Sequence, residues 1–302
     1  MKNIVIAFIG GIIVTILCSF TNVSDDKLKS QGVTQEQLEY LKQDVVMGKT
    51  GVIPFPECHA SLEVPVGFVF LDFDQSKKLI VDYWNNPESR MPNVLGALIP
   101  KDSKAFYQIS VAYVISYDNC GYIKDDDANS IDYDELLKQL QQECNNENDS
   151  LPKEQRMWLT GWAVPPQYIS SCHTLIWAKS FKSEAGSVIN YDMRILGKDG
   201  LVSVNAVISN TDIEEVKELQ NLIVNSIQYN NGFKYSDFDE TRDRVSDWTI
   251  GGLIAGGVLA KTGFFAKIGI LLLKMWKIVV IGIIGIGAAI RKFFSKNYAK
   301  IC

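Results

Sequence analysis

Val188-Ile189-Asn190-Tyr191-Asp192-Met193-Arg194-Ile195-Leu196, followed by Gly197-Lys198-Asp199-Gly200 and a second apolar run over 201–209, is the stretch that decides the fold class. Its first run alternates with period two. Ile189, Tyr191, Met193 and Ile195 fall on one face of a strand, and Asn190, Asp192 and Arg194 fall on the other. Lys198-Asp199-Gly200 supplies a turn, so 201–209 returns as the second strand of an antiparallel hairpin. A further strand is predicted at 174–181, and a closing helix at 211–227.

Upstream, the periodicity predicts helices over 35–47 and 74–84, an edge strand over 62–71 that contains Pro65 and Gly67, and a strand over 106–117. Asp132 with Glu135 three residues later is a capping-box spacing, opening a helix through Leu136, Leu137 and Leu140. Val64-Pro65 with Phe68, then a strand and a capped helix, echoes Val164-Pro165 with Tyr168, then strands and a helix. That parallel suggests two related units over 50–148 and 151–230. The expected class is α+β, with antiparallel sheets covered by helices and a C-terminal transmembrane helix.

The two ends of the chain point to a membrane. Lys2 precedes an apolar stretch over 4–18, so 1–22 reads as a signal segment or N-terminal anchor. From Trp248 to Cys302 there are eight Lys or Arg and no Asp or Glu, set among glycines and apolar residues. The longest charge-free run there, 278–290, is shorter than the roughly 20 residues a spanning helix needs. Lys274 to Arg291, however, reaches roughly 26 Å at helical rise, with both cations snorkelling to headgroups. The expected order is therefore an exported domain over 23–230, an acidic linker over 231–247, a Gly-rich interfacial helix over 248–273, a transmembrane helix over 274–292 and a basic cytoplasmic tail over 293–302. Gly252 and Gly256 form a small-xxx-small pair of the kind that packs membrane helices together.

Between these ends, residues 25–247 hold 21 basic and 35 acidic residues, net −14, a field that repels nucleic acid and anionic lipid. The partners this leaves are the bilayer, through the C-terminal helix, and a protein partner or a second copy of the chain. Of six cysteines, Cys58, Cys120, Cys144 and Cys172 fall in the expected exported domain, where an even number permits two disulfides in any of three pairings. A helix over 133–143 would separate Cys120 from Cys144 and disfavour that pair.

Several segments together resemble a family of bacterial membrane-anchored proteins known only as domain of unknown function 2167. They are Val64-Pro65-Val66-Gly67-Phe68-Val69-Phe70-Leu71, Gly121-Tyr122-Ile123-Lys124-Asp125-Asp126-Asp127-Ala128, Gly161-Trp162 with Pro166 and Tyr168, His173-Thr174-Leu175-Ile176-Trp177-Ala178, and Asn190-Tyr191 through Arg194-Ile195-Leu196-Gly197. Ile169 departs from the acidic residue the pattern carries after the Tyr, and Cys58-His59 lies outside the pattern. The resemblance implies an exported domain with a C-terminal anchor and no assigned reaction.

Four constellations carry chemistry. Cys58-His59 and Cys172-His173 supply zinc-type ligands, although neighbours in an extended chain point to opposite faces. Asp125, Asp127 and Asn129 open like a calcium loop, but Ser130 replaces the turn glycine and Leu136 the closing Glu. Asn190, Asp192 and Arg194, joined by Ser203 and Asn205 and flanked by His173 and Trp177, form a candidate ligand groove; a sheet face wetted by solvent gives the same alternation. Trp158, Trp162, Tyr168 and Trp177 make an aromatic set suited to a platform or a core. No GxSxG, HExxH, P-loop or dinucleotide motif occurs, and there are only two histidines. The sequence thus points to an anchored envelope protein whose acidic ectodomain binds a ligand or protein partner, non-enzymatically and without a cofactor. Its rivals are a metal-dependent or acid-pair hydrolase and an oligomerising membrane helix.

Overall fold

A computed structural model of the chain describes residues 45–256, apart from 85, 87, 89, 90, 92, 104, 107, 108, 110, 154, 155, 185 and 209–212, together with 7–9, 12–14, 35 and 39. The expected transmembrane helix at 274–292, the tail at 293–302 and most of the helix expected at 35–47 lie outside the described residues. Among the described residues, no helix is long and apolar enough to cross a membrane. Within the apolar opening segment, β1 (Ala7–Ile9) and β2 (Ile12–Val14) form a two-stranded antiparallel pair.

The centre of the molecule is a seven-stranded antiparallel sheet. In chain order its strands are β5 (Phe68–Leu71), β6 (Val94–Pro100), β7 (Tyr113–Asp118), β8 (Trp158–Ile169), β9 (Thr174–Ser183), β10 (Gly186–Leu196) and β11 (Leu201–Ile208). They lie side by side in the order β5-β6-β7-β11-β10-β9-β8. The hairpin read from the sequence is its core: β10 and β11 pair from Ile189↔Ile208 to Leu196↔Leu201. A smaller sheet, β12-β4-β3, joins β3 (Val52–Phe55), β4 (Ala60–Glu63) and β12 (Ile227–Tyr229). The α+β class with antiparallel sheets and covering helices is the observed one. Strands from 50–148 and from 151–230 share the large sheet, joined where β7 pairs with β11.

The helices form for local reasons. Asp132 caps α2 (Tyr133–Asn148) by accepting from Asp134 and Glu135 backbone N–H groups, and Leu136, Leu140 and Cys144 fall on its buried stripe. Asp72 caps α1 (Phe73–Lys77), which continues as a π-turn over 78–83. The closing helix α3 spans Ile213–Asn225. A fourth helix, α4 (Ile250–Ala255), is capped by Thr249 and stopped by Gly256 at a left-handed φ of 79°.

Period-two alternation divides the sheet between two cores. Ile176, Ala178, Tyr191, Met193, Ile195, Val202 and Val204 face α3 and the small sheet, together with Phe55, Leu62, Val216 and Ile223. Leu175, Trp177, Phe181, Leu196 and Leu201 face the opposite way, against Leu79, Leu136, Leu140, Ile250 and Ile254 from the segment after α1, α2 and α4.

Four expectations are corrected. Residues 62–71 make two strands in different sheets, because Pro65 lacks an amide hydrogen and Gly67 turns the chain at φ 90°. Of the strand expected at 106–117, the described residues that are extended are 113–117, within β7. Ile250–Ala255, the opening of the segment read as interfacial, is instead buried in the helix-covered core, with Ile250 and Ile254 at 0 % exposure. Gly256, read as half of a helix-packing pair, is the residue that ends α4.

The expected disulfides are the remaining correction: Cys58, Cys120, Cys144 and Cys172 are free thiols. Cys58 belongs to the α3-side core and Cys144 to the α2-side core, so the sheet stands between them. Cys58 bonds Phe55 O and Cys144 bonds Met157 O, and burial raises both thiols above the ordinary range, Cys58 to about 11.

Candidate functional site

The groove residues read from the sequence do share one face, but that face is not wet. Register places Lys179 opposite Asn190, Trp177 opposite Asp192, and Leu175 opposite Arg194; on the other side Asp192 faces Asn205 and Arg194 faces Ser203. The result is a polar layer across β9, β10 and β11, bounded above and below by Phe181, Val188, Leu175, Leu196 and Leu201. Asn190, Asp192, Ser203, Trp177 and Lys179 are all buried.

Inside this layer Asp192 and Arg194 form an ion pair. Arg194 Nη2 donates to Asp192 Oδ1 at 3.0 Å, and the Asn205 amide donates to Asp192 Oδ1 at 3.1 Å and to Asn190. The Arg194 guanidinium also lies over the Trp177 ring, 5.5 Å from its centre. Lys179 was not among the sequence candidates, although a lone cation inside the apolar run 175–181 was the signal that could have found it. It is 1 % exposed and donates to Ile254 O at 2.6 Å. Burial pulls its ammonium down to about 8, Asp192 acting against that shift and Arg194 with it. Glu143 of α2 carries the complementary effect, its carboxyl raised by burial and lowered by Lys179.

Two donors in the layer are orphaned. Trp177 Nε1 and Ser203 Oγ are buried without a hydrogen-bond partner among the described residues. Such groups are rare in folded proteins and cost about 1–3 kcal/mol each when left unpaired.

The loop that opens like a calcium site without completing one holds the chain instead. Asp127 accepts from Ile250 N at 3.1 Å and Gly251 N at 3.0 Å, so its carboxylate closes the N-terminus of α4. Asp125 accepts instead from the Tyr168 hydroxyl at 2.8 Å, and Asn129 lies exposed. Gly121, at φ 87°, brings the loop against Arg244, and Tyr122 pairs in parallel with Val245. Thus 121–130 grips the chain leading to the Gly-rich segment. Among the described residues, no three His, Cys, Asp or Glu gather where they could hold a metal ion. His59 stacks on Phe233 at 3.7 Å and His173 on Tyr235 at 4.1 Å, each ring therefore directed at its own aromatic partner. His173 sits beyond the strand, bonded through Nδ1 to Tyr168, rather than within the Asp192–Arg194 layer.

A seven-stranded antiparallel sheet, with helices on one face and a helix plus a small sheet on the other, defines an α+β domain with a buried charged layer. The family model described as a protein of unknown function, DUF2167, matches residues 47–285, and the chain belongs to that family. Solved structures with similar folds include the cyanobacterial PsbP of Synechocystis, at 8 % identity over 61 % of this chain and 95 % of that one, TM-score 0.34. LpqN of Mycobacterium tuberculosis, involved in cell envelope biogenesis, is 13 % identical over 67 % and 97 %, TM-score 0.27. The Ran-binding protein Mog1p of Saccharomyces cerevisiae is 10 % identical over 64 % and 100 %, TM-score 0.29. A comparison with curated proteins finds no match.

Proposed function

We propose that this chain is a membrane-tethered envelope protein whose acidic α+β body is exported and binds a ligand or protein partner through the layer centred on Asp192 and Arg194. The observation that carries this reading is the pair of orphaned buried donors, Trp177 Nε1 and Ser203 Oγ, set beside an ion pair in a sheet whose opposite face packs into the α3-side core. A core built only for stability gains nothing from two unpaired donors and buried charges. Groups of this kind become favourable when a ligand completes them. The basic Gly-rich segment supports the tether, because its opening turn, α4, is held in the body's core.

Crosslinking in intact membranes tests the binding face. Arg194→Ala should lose the crosslinked species that the unaltered chain forms, while circular dichroism and the thermal midpoint show a folded domain. Identical crosslinking in both chains would retire the layer as a binding face. Protease added to the cytosolic side of sealed vesicles should leave the body intact; cleavage between 45 and 247 would end the export reading.

A further inference from the structure

A second constellation, which involves neither Asp192 nor Arg194, lies where β8 turns into β9. The Tyr168 hydroxyl stands between Asp125 Oδ2 at 2.8 Å and His173 Nδ1 at 3.1 Å. Burial, and then the bond to Asp125, push that phenol well above its ordinary range, so it keeps its proton. An ionised carboxylate only accepts, so the single hydroxyl proton goes to Asp125. Toward the imidazole the Tyr168 oxygen must therefore accept, which requires the proton of His173 on Nδ1 and leaves the neutral ring's lone pair on Nε2.

The ring is also held in place. His173 adopts a left-handed φ of 47°, uncommon for a residue other than glycine. Leu196 N bonds its carbonyl at 3.0 Å, and Tyr235 stacks on the ring while its own hydroxyl is tied to Ile123 O at 2.8 Å. The titratable groups that contact the ring are Tyr168 from β8, Asp125 (through Tyr168) from the 121–130 loop, and Tyr235 from the segment after β12. The side chain is half-buried, and Nε2 makes no hydrogen bond among the described residues.

We propose that Asp125, Tyr168 and His173 form a relay that presents His173 Nε2 as a proton acceptor for a hydroxyl group, either water or the hydroxyl of an uncharged or cationic ligand. The body's net charge of −14 disfavours anions as that ligand. In the step it supports, the hydroxyl O–H bond breaks, its proton goes to Nε2, and its electron pair stays on oxygen as the nucleophile. Asp125, acting through Tyr168, stabilises the imidazolium that forms. Tyr168 and Asp125 are positioning residues, and His173 is the group that meets the hydroxyl.

The full chain contains two histidines, so isotopically labelled histidine yields two imidazole signals, assigned with His59→Asn, since Asn tolerates the left-handed backbone. His173 should show its proton on Nδ1 and a bare Nε2, and Tyr168→Phe should move the population toward the Nε2–H form. An Nε2–H ring in the unaltered chain overturns the relay. With p-nitrophenyl acetate as the probe of water activation, Nε2 takes a proton from water, oxygen attacks the acyl carbon, and nitrophenolate leaves. The full chain should hydrolyse it, His173→Asn should slow this about 10²-fold, and Tyr168→Phe should lower kcat about tenfold with KM unchanged. Equal rates in the unaltered chain and His173→Asn overturn the base role even where the tautomer is as expected.

Discussion

Lys179 is a cation in a place that excludes water, and its behaviour follows from that. Burial lowers its ammonium to about 8 in the folded chain, whereas an unfolded lysine titrates at its ordinary value near 10.4. Between those values the unfolded chain binds more protons than the folded one, so this residue makes stability rise with pH across that window. Guanidinium midpoints of the unaltered chain and Lys179→Met, compared at pH 7 and pH 10, should show a difference that shrinks or reverses as Lys179 loses its charge. A pH-independent difference would mean that folding does not lower the Lys179 ammonium. The cysteines give a second residue-scale expectation. Mass-spectrometric mapping after brief thiol alkylation should find Cys172 modified in the native chain, and Cys58 and Cys144 modified only after unfolding. Finding Cys58 or Cys144 in a disulfide would contradict the thiols seen here.

At the scale of elements, α4 is the joint that matters. Six residues make a helix too short to persist alone, so its existence rests on what holds it. Asp127 meets its two leading N–H groups and Lys179 meets a carbonyl in its last turn, placing a negative charge at the positive end and a positive charge at the negative end. Asp127→Ala should cost about 1–2 kcal/mol and accelerate hydrogen exchange at Ile250 and Gly251 before the sheet responds. Asp132→Ala, which uncaps α2, should cost about 1 kcal/mol. Two strands that the sequence did not disclose belong to this scale as well. Val94–Pro100 is a short apolar run that periodicity cannot separate from a helix fragment. Trp158–Ile169 carries Pro165 and Pro166, which argue against a central strand; as β8 it is an edge strand with three register shifts, where missing amide hydrogens are tolerated.

For the molecule as a whole, α4 moves the edge of the folded body. The sequence predicts an exported domain over 23–230, followed by a linker over 231–247, yet Ile250 and Ile254 are fully buried against the helix-covered core. A chain ending at Asp247 should therefore unfold about 3 kcal/mol more easily than one ending at Gly256, because two isoleucines no longer cover that face. Equal denaturation midpoints for the two chains would show that α4 adds nothing to the body. The same contacts tie α4 to the polar layer through Lys179 and to the 121–130 loop through Asp127.

What the sequence determined by itself was local. Alternation in 188–196 and 201–209 settled the hairpin and the shared face of Asn190, Asp192 and Arg194, because side-chain direction in a strand depends only on parity. Asp132 likewise announced α2, since a cap is satisfied within three residues. Tertiary structure alone decided whether that shared face was wet or buried, which strand lay beside it, and that residues 120 or more positions apart, Asp127 with Gly251, would meet. Those outcomes depend on how covered surfaces pair across the whole sheet, and a linear pattern records each surface but not its partner.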